Sequence, residues 1–103
     1  MRSLEYTHER LWATVLVLAE ADGAVQERLA TAVTSQLLHL SPDDLPLDMR
    51  DPFIEIERRL TVKDPAGDQD SVHATTAVMD QFEARSIVEA IVAMYGEICR
   101  RLG

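Results

Sequence analysis

DQFEARSIVEAIVAMYGEICRRL, residues 80–102, decides the fold class. Asp80 stands at a helix N-cap position and Glu83 follows three residues later, a capping-box-like start. Beyond it, Ile87, Val88, Ile91, Val92, Met94, Tyr95, Ile98, Cys99 and Leu102 recur at spacings that suit a helix. At 100° per residue they fall within an arc of roughly 160°, with Arg85, Glu89, Glu97 and Arg100 outside it. The spacing predicts a helix over 80–102 whose apolar face is wider than one neighbouring helix covers.

The same reading extends to the rest of the chain. A helix is expected over 4–21, with Ser3 as its N-cap. Its inward stripe is Leu4, His8, Leu11, Val15 and Leu18, with Trp12 and Ala19 beside it. Asp22-Gly23 stops it, because glycine accepts the left-handed conformation. A second helix is expected over 24–40, antiparallel to the first across this short turn, with Val25, Leu29, Ala32, Val33, Gln36, Leu37 and Leu40 inward. Ser41-Pro42-Asp43-Asp44 starts one short turn over 42–45. A third helix follows over 46–60, bent or interrupted near Asp51-Pro52 and burying Met49, Phe53, Ile56 and Leu60. Residues 61–70, TVKDPAGDQD, form a loop. Residues 71–79 read as a short helix capped by Ser71, or as a short strand without an evident partner.

The chain has 103 residues, 47 % of them hydrophobic and only 5 % aromatic, with four glycines and four prolines. That size fits one domain, 1–103, and the composition favours helices. The expected fold is all-α: a small four-helix bundle-like domain with short extra helical turns. The first helix also carries Tyr6, Ala13 and Val17 on nearly the opposite side from its main stripe. A helix apolar on two sides is central in its bundle or shared with another subunit, and a homodimer is the expectation. The alternative is that segment 42–60 covers the surplus. Two polar residues sit on apolar stripes, His8 and Gln36, and buried polar groups need partners. His8, Gln36, Tyr6 and Val17 are therefore the candidate interface or buried polar positions.

The formal charge is −8. Residues 41–70 hold nine acids against four bases. Such a chain repels phosphate backbones, so no nucleic-acid partner is expected, whereas a basic protein partner would be attracted. No apolar run reaches the length of a membrane span, and MRSLEYTHER has no signal-peptide core, so the expected compartment is the cytoplasm. The single cysteine, Cys99, excludes an internal disulfide and reads as a buried inert thiol.

Chemistry-bearing patterns are sparse. No glycine-rich phosphate loop or nucleophile elbow is present. Glu5-Tyr6-Thr7-His8 has the Glu-x-x-His spacing of di-metal bundles but lacks a second copy, so no metal or other cofactor is expected. Arg58, Arg59 and Lys63 form a basic cluster in the acidic middle, with Glu55 and Arg59 spaced as an i,i+4 pair. Arg2-Ser3-Leu4-Glu5-Tyr6-Thr7-His8 resembles the Arg-then-His motif of the HEPN ribonucleases, which are small all-helical dimers. The resemblance covers seven residues, and the motif lies at the extreme N-terminus instead of within a later helix. It implies Arg2 and His8 in a shared cleft.

The function expected from this sequence is a non-catalytic protein–protein interaction module. One alternative is an acidic inhibitor of a basic enzyme, such as an immunity protein, an antitoxin or a nucleic-acid mimic. The HEPN-like ribonuclease is the other.

Overall fold

The computed structural model describes residues 3–103. Five α-helices and three short 3₁₀ turns make up the fold among these residues, and no strand is formed. The radius of gyration, 13.2 Å, is that of an ordinary domain of this length.

Helix α1 (Leu4–Glu20) starts where expected, with the Ser3 hydroxyl accepting the Tyr6 N–H. Its buried face differs from the expected one: Thr7, Leu11, Thr14 and Leu18 point inward, while Trp12 and Ala19 are exposed and His8 and Val15 are half-buried. Two threonines tolerate full burial because their hydroxyls are satisfied. Thr7 Oγ1 donates to the Asp44 carbonyl at 2.6 Å and Thr14 Oγ1 donates to the Arg10 carbonyl at 2.7 Å. In the turn that follows, Gly23 has φ +100, a conformation that costs other residues strain.

Helix α2 (Val25–Ser35) ends five residues short of expectation. Thr31, Thr34 and Ser35 each donate a hydroxyl hydrogen bond to the carbonyl four residues back, a pattern that weakens and bends helices. Gln36 then leaves the helical region, and a 3₁₀ turn, Leu37–His39, still brings Leu37 and Leu40 into the core. Contacts pairing Arg10 with Gln36 and Leu18 with Arg28 show α1 and α2 antiparallel.

The Pro42–Asp44 turn is held by Asp44, whose carboxylate accepts from the Ser41 N–H at 3.0 Å. A further turn, Leu47–Met49, leads into α3 (Arg50–Leu60). The break lies at Met49–Arg50, just before the expected position. Pro52 sits inside the first turn of α3, where its missing N–H costs nothing. The expected inner face holds: Met49, Phe53, Ile56 and Leu60 are all buried.

The 61–70 loop tightens into a two-residue turn at Gly67-Asp68, closed by paired bonds between Ala66 and Gln69. Residues 71–79 resolve as helix: α4 (Ser71–Ala77), capped by Asp70 and not by Ser71. Asp70 Oδ1 takes the His73 N–H at 2.8 Å. Helix α5 (Gln81–Leu102) is the longest of the described helices, with Asp80 Oδ1 accepting the Glu83 N–H at 2.8 Å. Asp80→Ala is expected to cost about 1 kcal/mol through loss of this cap. An Asp80→Ala variant that melts like the wild type would show that α5 is held by packing alone.

The core is mostly aliphatic, built largely of buried leucines and isoleucines, with Phe53 its only buried aromatic among the described residues. Helix α1 lies between two neighbours. The Arg10–Gln36 bond places one flank against the end of α2, and ring contacts from His8 and Trp12 to Tyr95 place the other against α5. No buried side-chain polar atom among the described residues lacks a partner. No described helix is long and apolar enough to cross a membrane.

Candidate functional site

The apolar arcs of α1 and α5 each split into two stripes. On α5, Ala84, Ile87, Ile91, Met94 and Ile98 are buried. Val88, Val92, Tyr95, Cys99 and Leu102, one residue further round, stay half-buried or exposed. On α1 the buried set is Thr7, Leu11, Thr14 and Leu18, and the outer set is His8, Trp12, Val15 and Ala19. Both outer stripes step by four, three and four residues, the spacing of a coiled-coil seam.

Tyr95 joins the two helices. Its ring centroid lies 5.3 Å from His8 and 6.0 Å from Trp12, within the range of favourable aromatic pairs. The adjoining Cys99 thiol and partial burial hold the Tyr95 phenol above its usual value. Around these rings, Trp12 is 46 % exposed, Val92 45 % and Leu102 39 %. One face of the molecule therefore presents an aromatic centre flanked by valines and leucine. The acids and bases next to it, Glu5, Glu9 and Arg85, form no ion pair among the described residues.

The four positions singled out from sequence divide between the two flanks of α1. His8 belongs to the exposed face, half-buried on Tyr95. Gln36 lies on the other flank and is half-buried, its Oε1 accepting from Arg10 at 2.9 Å. Tyr6 is near it, with its hydroxyl 3.5 Å from the His39 carbonyl. Val17 packs on the core as a half-buried neighbour. Cys99 is half-buried on the outer stripe instead of sealed in the core. Trp12 is more prominent than its sequence neighbourhood suggested. Its exposure was decided by the one-residue rotation of α1 that buried Thr7 and Thr14.

Arg2, needed with His8 for the HEPN-like arrangement, lies outside the described residues. His8 lines neither the cleft between α2 and α4 nor the one between α3 and α5. No group of three metal-ligating His, Cys, Asp or Glu side chains converges among the described residues.

The acidic middle is interleaved with arginine. Glu55 pairs with Arg58 and not with Arg59. Arg59 instead reaches across to Glu83 on α5 with two bonds of 2.9 and 2.7 Å, tying the end of α3 to the start of α5. Asp48 takes both outer nitrogens of Arg101, which also bridges to Glu97. Asp43 lies 3.9 Å from Arg50. Within the acidic stretch from Asp43 to Asp70, the 43–60 part is thus of mixed sign, whereas 61–70 adds Asp64, Asp68 and Asp70 against Lys63 alone.

These pairs set the response to acid. Hydrogen bonds from arginine hold Glu83, Asp48, Glu55 and Glu97 below the usual carboxylate range, and the His73 backbone N–H does the same for Asp70. A depressed carboxylate stabilises the fold above its unfolded-state value, and that contribution is lost as pH falls through the folded-state value. Glu57 runs the other way, because burial raises it, so its protonation relieves a small cost. The melting temperature is expected to hold steady down to about pH 5 and to fall below about pH 4. Glu83→Gln should flatten part of that fall. A wild-type melting temperature that stays constant to pH 3 would contradict this account.

No known protein family, curated protein or solved structure matches the chain.

Proposed function

We propose that the protein is a non-catalytic protein–protein interaction module that works as a homodimer through the outer face of α1 and α5. The observation that carries this reading is the pair of heptad-spaced stripes centred on Trp12 and Tyr95, mostly apolar on both helices, on which Trp12, Ala19, Val92 and Leu102 are exposed and the other members only half-buried among the described residues. We read the fold as four-helix bundle-like, with α1, α2, α3 and α5 as the main helices. A second copy laid on the outer face would cover both stripes at once. A two-fold interface is self-complementary, so one patch suffices for both partners. Glu5, Glu9 and Arg85 at its edge then supply opposite charges for orientation. The pairing of Asp43, Asp48 and Glu55 with arginines favours this reading over an acidic inhibitor.

Sedimentation equilibrium over a wide concentration range is the test. A species of twice the 11.5 kDa chain mass, about 23 kDa, is expected to appear with concentration. The only tryptophan, Trp12, lies on the face, so its emission is expected to shift to the blue over the same range. A chain that stays monomeric at millimolar concentration, with constant emission, would refute the homodimer.

A further inference from the structure

A cleft of about 560 Å³ lies on a different part of the molecule, between α2 and α4. That size is typical of small-ligand sites. Gln26, Glu27 and Thr31 of α2 face Gln69, His73 and Thr76 across it, and small apolar residues complete the lining. No lysine or arginine lines it.

The hydrogen-bond inventory of this lining is one-sided. Thr31 Oγ1 donates its proton to the Glu27 carbonyl at 3.0 Å, and Thr76 Oγ1 donates to the His73 carbonyl at 3.3 Å. The Gln26 amide nitrogen donates to the Met79 carbonyl at 3.1 Å. His73 Nδ1 lies 3.0 and 3.1 Å from the two Asp70 oxygens. That contact places the imidazole proton on Nδ1 and leaves the Nε2 lone pair free to accept. The Glu27 carboxylate has no hydrogen-bond partner among the described residues. Its oxygens, the Gln26 carbonyl, both threonine oxygens and His73 Nε2 are therefore available as acceptors. Apart from the Gln69 amide and the second Gln26 N–H, the donors among these side chains are already engaged.

A cleft of acceptors with carboxylate charge and no cation of its own is complementary to a group that carries many N–H donors and a positive charge. We infer that this cleft binds an organic cation through a guanidinium or primary ammonium group, with the attached methylene chain lying against its alanines. Ala24, Ala30 and Ala77 are the alanines that line the cleft, Ala30 buried and the other two exposed. The chemistry is shared by a free guanidino or amino metabolite and by an arginine or lysine side chain of a partner protein. No lysine or arginine side chain is present in the lining to neutralise an anion.

The test is a ¹H–¹⁵N titration of the full chain with butylguanidinium, and with butylurea as the neutral molecule of the same shape. A blocked Gly-Arg-Gly tripeptide and inorganic phosphate complete the series. Saturable shifts confined to residues 24–31 and 69–79 are expected with butylguanidinium, with butylurea at least about ten-fold weaker for want of charge-assisted bonds. Glu27→Gln and His73→Phe are each expected to weaken butylguanidinium about ten-fold while leaving the helical circular dichroism unchanged. His73→Phe keeps the ring volume and the backbone N–H that Asp70 caps, so loss of binding would not reflect loss of α4. Tighter binding of the tripeptide than of butylguanidinium would assign the cation to a partner protein, and the reverse order to a free small molecule. Equal binding of butylurea or phosphate would overturn the inference. So would shifts spread over the whole acidic surface, or saturation unaffected by both variants.

Discussion

Phe53→Ala is expected to destabilise the protein by about 3–5 kcal/mol, the usual cost of removing a fully buried ring. Phe53 is 0 % exposed. It is one of only three buried side chains on α3, with Ile56 and Leu60. The helix has few other means of attachment: Arg59 to Glu83 at one end, and Asp48 to Arg101 just before the other. Ion pairs with exposed members contribute little in water, so the docking of α3 rests on its apolar face. For a domain of this length the loss corresponds to a fall in melting temperature on the order of 15–30 °C, a large share of the margin of a small protein. Phe53→Leu keeps most of the volume and should cost less than about 1.5 kcal/mol. Thermal melts at one fixed protein concentration compare the two. A Phe53→Ala loss no larger than that of Phe53→Leu would mean that α3 docks without its ring.

Val92→Asp is expected to abolish self-association while leaving the monomer folded. Val92 is 45 % exposed at the middle of the outer α5 stripe, between Val88 and Tyr95. In the monomer the new carboxylate stays in water and costs about 0.5 kcal/mol or less. In the proposed dimer it is buried without a partner and placed near its own symmetry copy. Unpaired burial of charge at the centre of an interface is worth several kcal/mol, so dimerisation should weaken by about 100-fold or more. Trp12→Ala should weaken it by a similar or smaller factor, since large aromatic anchors carry much of the energy of such contacts. The concentration at which mass doubles in sedimentation is the readout, with circular dichroism reporting on the monomer. Unchanged dimerisation in both variants would move the interface away from this face.

The candidate face was partly legible in the sequence. The apolar arc of α5 is too wide for one neighbour and includes Val88, Val92, Tyr95, Cys99 and Leu102, but spacing alone did not separate them from the buried Ile87, Ile91, Met94 and Ile98, and it placed Cys99 among the buried residues. His8 could be singled out as a polar residue on an apolar stripe. Its pairing with Tyr95 could not, because nothing local links positions 8 and 95. The acceptor-lined cleft was not legible at all. His73 gave no signal in the sequence beyond being a histidine, and Asp70 and Glu27 stood among many acids. The site exists because α4 lies against α2, two elements separated by the whole of α3.

What the sequence determined by itself is what neighbours within a turn or two dictate. Ser3 and Asp80 cap helices with their own oxygens, and the period of residues 87–102 makes a helix whatever it packs against. The inner face of α3 is equally local. What the tertiary structure decided is which arc of each helix turns inward. On α1, apolar spacing pointed to His8 and Val15, yet Thr7 and Thr14 are buried. The Asp44 carbonyl, 37 residues away, accepts the Thr7 proton and removes the cost of burying it. The same distinction separates the expected Glu55–Arg59 pair from the observed Arg59–Glu83 bridge. A helix's period is set by its own residues, but the free energy of burying one arc rather than the next depends on partners that only the folded chain brings within reach.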